Sequence, residues 1–273
     1  MINTNIYAKE LKRYRNSFIG WSISIIVFLF SGMAFYPLMM QEDMYKQITA
    51  FLENPFMKNM MTVIGANIDL WTNVLGYYST RNAMFIMLIG SFFSVLLAGK
   101  ILAREEQEKT AEFLLTKPVT RLEVVRSKLA VYVTYLILLN FVILVTGFLS
   151  LEIFKGGSQY RLKAFFIHWF YALLLMLTYG AIGMFLSLLI KRGRPITNLS
   201  IGIIMGTYFI DILSRVTPSV DKFGYLSPFK FVDGGVLQPD YSLVGWRVAY
   251  FLGLSLVFFA LTFFQYKKKD ILV

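Results

Sequence analysis

Six apolar stretches limit what this chain can become. They lie at about residues 17–40, 82–103, 129–151, 164–190, 195–213 and 247–266, and charge appears only at their ends. A helix needs about 20 such residues to cross the hydrocarbon core of a bilayer. The fourth stretch is long enough to tilt or to keep two turns outside, and the fifth is short. The chain is 57% hydrophobic and 16% charged, whereas soluble domains run at roughly 45–50% and about 25%. The reading is an all-α membrane protein, one domain of six spans over residues 1–273, with no room for a sizeable soluble domain. Cysteine is absent, so a disulfide framework and a thiolate metal site are excluded. The uncharged run after Arg13 and Arg15 is too long for the apolar core of a signal peptide, and no cleavable leader is expected.

An even number of spans puts both termini on one side, and charge says which. Of the 27 Lys and Arg, 17 fall on the side of the termini and 10 on the other, the ten spread over longer loops. Short cytoplasmic loops carry the excess of positive charge, so both termini are expected in the cytoplasm of a cell-membrane protein. The net charge of +11 is thereby accounted for at span ends, and no nucleic-acid surface is read from it. Residues 3–17 have apolar positions at Tyr7, Leu11, Tyr14 and Phe18 with cations between them. Either a charged flank that fixes orientation or an interfacial helix along the inner leaflet answers to this pattern.

The densest charge run, Arg104 to Lys128, lies between the second and third stretches. Glu105, Glu108 and Glu112 share one helical face. Pro118 cannot continue a helix and pushes Lys117 out of helical geometry. Thr120 with Glu123 forms a capping box, which predicts a new helix running on into the membrane. The run therefore reads as a helical knuckle on the membrane surface, a docking element.

This stretch resembles the cytosolic coupling segment of type-2 ATP-binding-cassette (ABC-2) exporter permeases. The positions that carry the resemblance are Glu105, Glu106, Thr110, Glu112, Leu114, Leu115, Pro118, Val119 and Arg121, with Glu108 on the acidic face. Lys109 stands where the family often has Gly. The segment S-P-F-K-F-V-D-G-G at 227–235 is similar to one that the family carries between its fifth and sixth spans, where short helices dip back into the outer leaflet. A plain outer loop fits the breakers at 218–239 as well. The resemblance implies a connecting helix at 3–17 and a cytosolic ATPase dimer docked on Glu105 to Arg121. It also implies a second copy of the chain or a related permease. ATP and Mg would be bound by the partner, with no cofactor in this chain.

Other polar positions are sparse. Glu152 and Asp211 stand at outer ends of spans, either on a cargo path or at a solvated boundary. His168 reads as an interfacial or hydrogen-bonded residue. Thr134, Asn140 and Thr146 can join helices. Gly202 and Gly206 form a GxxxG pair, a weak sign of helix packing, here across a dimer. In the first outer loop Met57, Met60, Met61 and Ile64 can line one helical face. An adaptable apolar surface is favoured there over a copper site, since no Cys or His joins them. Trp71, Tyr77 and Tyr78 read as interfacial aromatics.

No phosphate-binding loop, no H-E-x-x-H and no Ser/His/Asp set occurs, and there is one His. The chain is therefore not expected to be an enzyme, and energy must come from a partner. The leading reading is a permease subunit that exports a hydrophobic or amphipathic cargo such as a peptide, lipid or drug-like molecule. Sodium or copper export in the same family and a non-transporting scaffold or sensor of an ABC-like complex are the alternatives. A lipid-modifying enzyme would need clustered acids or His that the sequence lacks.

Overall fold

The computed structural model describes residues 2–57, 68–107, 119–189, 196–216, 218–232 and 235–268. Among the described residues there is no strand. The six main helices are α1 (Thr4–Met39), α2 (Met84–Gln107), α3 (Arg121–Phe154), α4 (Leu162–Leu189), α5 (Ile196–Val216) and α6 (Gly245–Lys268). Short helical pieces Val74–Tyr77 and the π-helical Tyr78–Ala83 prolong α2 backwards. Each of the six is long and apolar enough to cross a membrane. The protein is an all-α, multi-pass membrane protein.

Side-chain pairs fix the direction of every helix. α1 and α3 run parallel in nearly constant register. The Asn3 N–H donates to Ser127 Oγ (2.8 Å), the Tyr7 and Thr134 hydroxyls share a bond (2.9 Å), and the rings of Phe30 and Phe154 stand 6.4 Å apart. α2 opposes α1, with Trp21 on Phe93 (6.1 Å) and Phe28 on Phe85 (5.5 Å). α4 opposes α3: Tyr132 Oη donates to the Met176 carbonyl (3.1 Å) and Trp169 Nε1 to that of Asn140 (3.0 Å). α6 runs with α4, as Val244 N–H to Tyr171 Oη (2.9 Å) and Phe185 on Phe258 (5.7 Å) show. α5 opposes α4 and α2, with Thr207 bonded to Tyr179 (2.6 Å) and Tyr208 Oη to Met84 Sδ (3.2 Å). The chain thus reverses at each span and starts and finishes at one end, called here the terminal end.

α2 and α4 form the centre. In their apolar windows 72% and 67% of residues are buried, against 22% or less in α1, α5 and α6. Their approach is close because glycines stand where the backbones meet. A Cβ on Gly183 would lie 2.7 Å from the Val95 carbonyl oxygen and 2.8 Å from its Cα. Small residues at such crossings allow the dispersion contacts that hold helices together when both lipid and protein are apolar.

Three expectations are corrected or sharpened. The N-terminal residues do not form a separate helix lying along the membrane. They are the first turns of a single 36-residue helix, α1, about 54 Å long at 1.5 Å per residue. Their apolar face is spent on α3: Tyr135 Oη donates to the Leu11 carbonyl, the Phe18 ring packs on Tyr135 (5.1 Å), and Glu10 and Tyr14 are buried. Tyr77 and Tyr78 are not interfacial but core residues, 0% and 4% exposed. Tyr77 donates to the Gly32 carbonyl inside α1 (3.1 Å).

The link between α5 and α6 contains the short 3-10 helices Pro218–Leu226 and Pro228–Phe231, and it returns into the bundle. The buried Phe229 packs its ring on Tyr179 (5.3 Å) and Tyr208 (5.4 Å), and Phe231 lies 4.0 Å from Tyr250. All three partners are on spanning helices.

The α2–α4 contact gives a direct test. Gly183→Ala forces two backbones apart and is expected to lower stability by about 1–3 kcal/mol. Gly202→Ala, with open space around its Cβ position, is expected to leave stability unchanged or raise it by up to about 1 kcal/mol through helix propensity. Thermal unfolding of both variants in one detergent checks the pair.

Candidate functional site

Of the residues singled out by charge and capping in the run from Arg104 to Lys128, the described ones lie at the terminal end, where α2 stops and α3 begins. Thr120 caps α3 as expected: its Oγ accepts from the Glu123 N–H (3.2 Å) while Glu123 Oε2 accepts from the Thr120 N–H (2.9 Å). Two of the orphan donors of the helix start are satisfied reciprocally, so the point at which the chain re-enters the bundle is rigid. Arg121 follows at once, and its guanidinium donates to the Lys267 carbonyl in the last turn of α6 (3.3 Å). That bond places a cation on the negative end of the α6 dipole and links the start of α3 to the end of the chain.

Two turns into α3 lies one of the basic residues counted at span ends on the side of the termini. Lys128 is fully buried, and its Nζ donates to the Ile101 carbonyl of α2 (2.5 Å). A buried ammonium is tolerated only when hydrogen-bonded, and this one is spent on clamping α2 to α3 just inside the segment that joins them. Nearby, Arg104 of α2 stands over the Tyr14 ring of α1 (5.9 Å), and Arg13 pairs with the buried Glu10 carboxylate (2.8 Å). The ends of α1, α2, α3 and α6 therefore meet in one polar layer. A lysine at i+5 beyond a capping box was the one sequence sign of this clamp. It was indistinguishable from a flanking charge.

Of the expected docking residues, Arg121 is placed as above. Glu105 and Glu106 fall in the last turn of α2, where only their helical backbone is described. Glu108, Thr110, Glu112, Leu114, Leu115 and Pro118 lie outside the described residues. Met60, Met61 and Ile64 of the first loop do so too.

At the far end, Glu152 is held by Lys155 (2.6 Å) and accepts from Tyr160 Oη (2.8 Å), closing the turn between α3 and α4. Burial and that acceptor hold the Tyr160 phenol well above its ordinary pKa. Asp211 on α5 is buried and pairs with Arg215 one turn on (3.0 Å). Arg161, which no motif or spacing marks, donates to the carbonyls of Val236 (2.8 Å), Pro239 (2.8 Å) and Gln238. It pins the α5–α6 link to the start of α4. His168 is buried in α4. Thr134 joins helices through Tyr7, and Asn140 does so through its carbonyl and Trp169. Thr146 is buried in α3.

Gly202 and Gly206 do not pack within the chain: a Cβ on either meets nothing within 4 Å. With Leu199, Phe209 and Leu213, exposed by 39%, 55% and 57%, they form one outward stripe at spacings of three and four.

The Lys128 clamp is testable by itself. Lys128→Ala removes the bond and leaves a void, with an expected loss of about 2–4 kcal/mol. Lys128→Met keeps the volume without the charge and is expected to recover at least half of it. Unfolding midpoints in detergent separate the two.

A family model described as ABC-2 family transporter protein matches residues 4–271. No curated protein matches the chain.

Proposed function

The chain belongs to the ABC-2 transporter family, and from that premise we propose that it is the membrane subunit of an exporter whose power comes from a separate cytosolic ATPase dimer. The observation that carries the reading is the family match across nearly the whole chain. The absence of a phosphate-binding loop in the sequence agrees with hydrolysis in a partner, which would hold the ATP and Mg. The ATPase docks on the acidic segment from Glu105 to Arg121, on the cytoplasmic side. A push on that segment moves α2 and α3 together, because Lys128 ties them just inside it. The Arg121 bond extends the movement to α6.

Two copies of the chain, or this chain and a related permease, build the complete pathway. The α5 stripe around Gly202 and Gly206 supplies a contact between them. The cargo is a hydrophobic or amphipathic molecule, since burying a naked ion in this charge-poor bundle would carry a large desolvation cost.

Two experiments test the reading. Affinity purification in mild detergent is expected to bring down a phosphate-loop ATPase together with ATP hydrolysis, and Glu112→Lys is expected to lose both. Purification of the wild-type chain without any ATPase, under conditions that keep other complexes whole, overturns it. Gly202→Leu combined with Gly206→Leu is expected to convert a dimer into a monomer by light scattering, with the helical content of the subunit by circular dichroism unchanged. A dimer that survives the pair removes the α5 contact.

A further inference from the structure

Beyond the far end of α1 the chain forms a short helix, Glu42–Glu53, that the transport reading does not use. Its residues divide cleanly around the helix axis at 100° per residue. Met44, Tyr45 and Phe51 lie on one arc, and Ile48 and Leu52 hold positions of the same arc. Glu42, Asp43, Lys46, Gln47, Thr49 and Ala50 take the rest. The apolar arc has no cover within the described chain: Met44, Tyr45 and Phe51 are 46%, 39% and 55% exposed. The polar arc is satisfied without help. Lys46 pairs with Glu42 (2.6 Å), and Thr49 Oγ1 donates to the carbonyls of Tyr45 (2.9 Å) and Lys46 (3.0 Å).

The place of this helix says what lies against it. The uncharged part of α1 from Phe18 to Met39 is long enough to cross the hydrocarbon core, so Met39 marks its far boundary. Only Met40 and Gln41 separate the two helices, a reach of at most about 7 Å. Gln41 is extended, at φ −65° and ψ 139°, so the second helix does not continue the first. Asn54 is extended as well and ends it before Pro55. Standing straight out along α1, the helix would carry its apolar arc into water for about 18 Å. Lying along the boundary, it buries that arc over its whole length and keeps the charged arc wet. Strong segregation of apolar from charged residues at low net hydrophobicity is the pattern of helices that lie in an interface.

We propose that Glu42–Glu53 is an interfacial helix, its Met44–Phe51 face sunk into the lipid of the leaflet opposite the termini. The driving force is apolar area, since the polar arc carries two acids beside its one lysine and gains nothing from anionic headgroups. The inference rests on the spans and not on export or the ATPase partner, so it stands or falls apart from the proposed function.

The chain has no cysteine, so a single introduced one carries a nitroxide label without background. Met44→Cys, Phe51→Cys, Lys46→Cys and Ala50→Cys are each labelled in the full chain and placed in phosphatidylcholine nanodiscs. Phe35→Cys, at an exposed position of α1, serves as the lipid-facing reference. Circular dichroism confirms that each variant keeps its helical content. Collision with oxygen, which favours lipid, against a water-soluble nickel chelate reports depth. Labels at Met44 and Phe51 are expected about 5–10 Å below the headgroups, and those at Lys46 and Ala50 in water. Four labels at one depth, wet or immersed, overturn the proposal. Labels at Met44 and Phe51 that neither agent reaches also overturn it, since the face would then be covered by protein.

Discussion

The close parallel approach of α2 and α4 sets the spacing of everything around it. In a membrane the tails of the lipid are as apolar as the side chains, so helices gain little from hiding apolar surface and must gain from fit. Gly183 against Val95 supplies that fit at the centre. Gly180 lets the Tyr132 ring of α3 reach in over α4, where its hydroxyl finds the Met176 carbonyl. α1 then lies on α3 and α2, α6 on α4, and α5 across α4 and α2. Each outer helix contributes one face and leaves the other bare.

Hydroxyls of tyrosine, serine and threonine act as the second set of joints. Thr178 of α4 reaches both the Phe251 carbonyl (3.3 Å) and Ser255 Oγ (3.0 Å) of α6, and Tyr7, Tyr77 and Tyr179 make bonds of the same kind. In hydrocarbon the alternative is an unpaired polar group, so each of these bonds selects one register. None of them brings a net charge into the span.

The charged side chains whose contacts are described lie toward the two ends, where they are put to different uses. At the terminal end Lys128, Arg121 and Arg104 cross from one helix to another and join four elements into a layer around the exit of α2 and the entry of α3. At the far end Arg161 collects three carbonyls of the α5–α6 link, and Glu152 closes the α3–α4 turn. One end is thus braced across helices and the other is braced within its loops.

The sequence by itself determined the span count, the helical class and the start of α3. Those depend on the length of apolar runs and on local chemistry, such as Thr120 with Glu123, that needs no distant partner. It also isolated Gly202 and Gly206, because helical spacing alone puts them on one face. Only the tertiary structure decided that residues 3–17 continue into the first span and that Tyr77 and Tyr78 are core. It alone decided that Lys128 is a clamp and that Phe229 and Phe231 turn back among the helices. The physical reason is common to all four. An amphipathic or aromatic pattern records that a face will be covered, but a bilayer interface and a neighbouring helix reward the same residues. Which of them does the covering depends on contacts 19 to 127 positions away in the chain, such as Phe231 with Tyr250 and Tyr7 with Thr134.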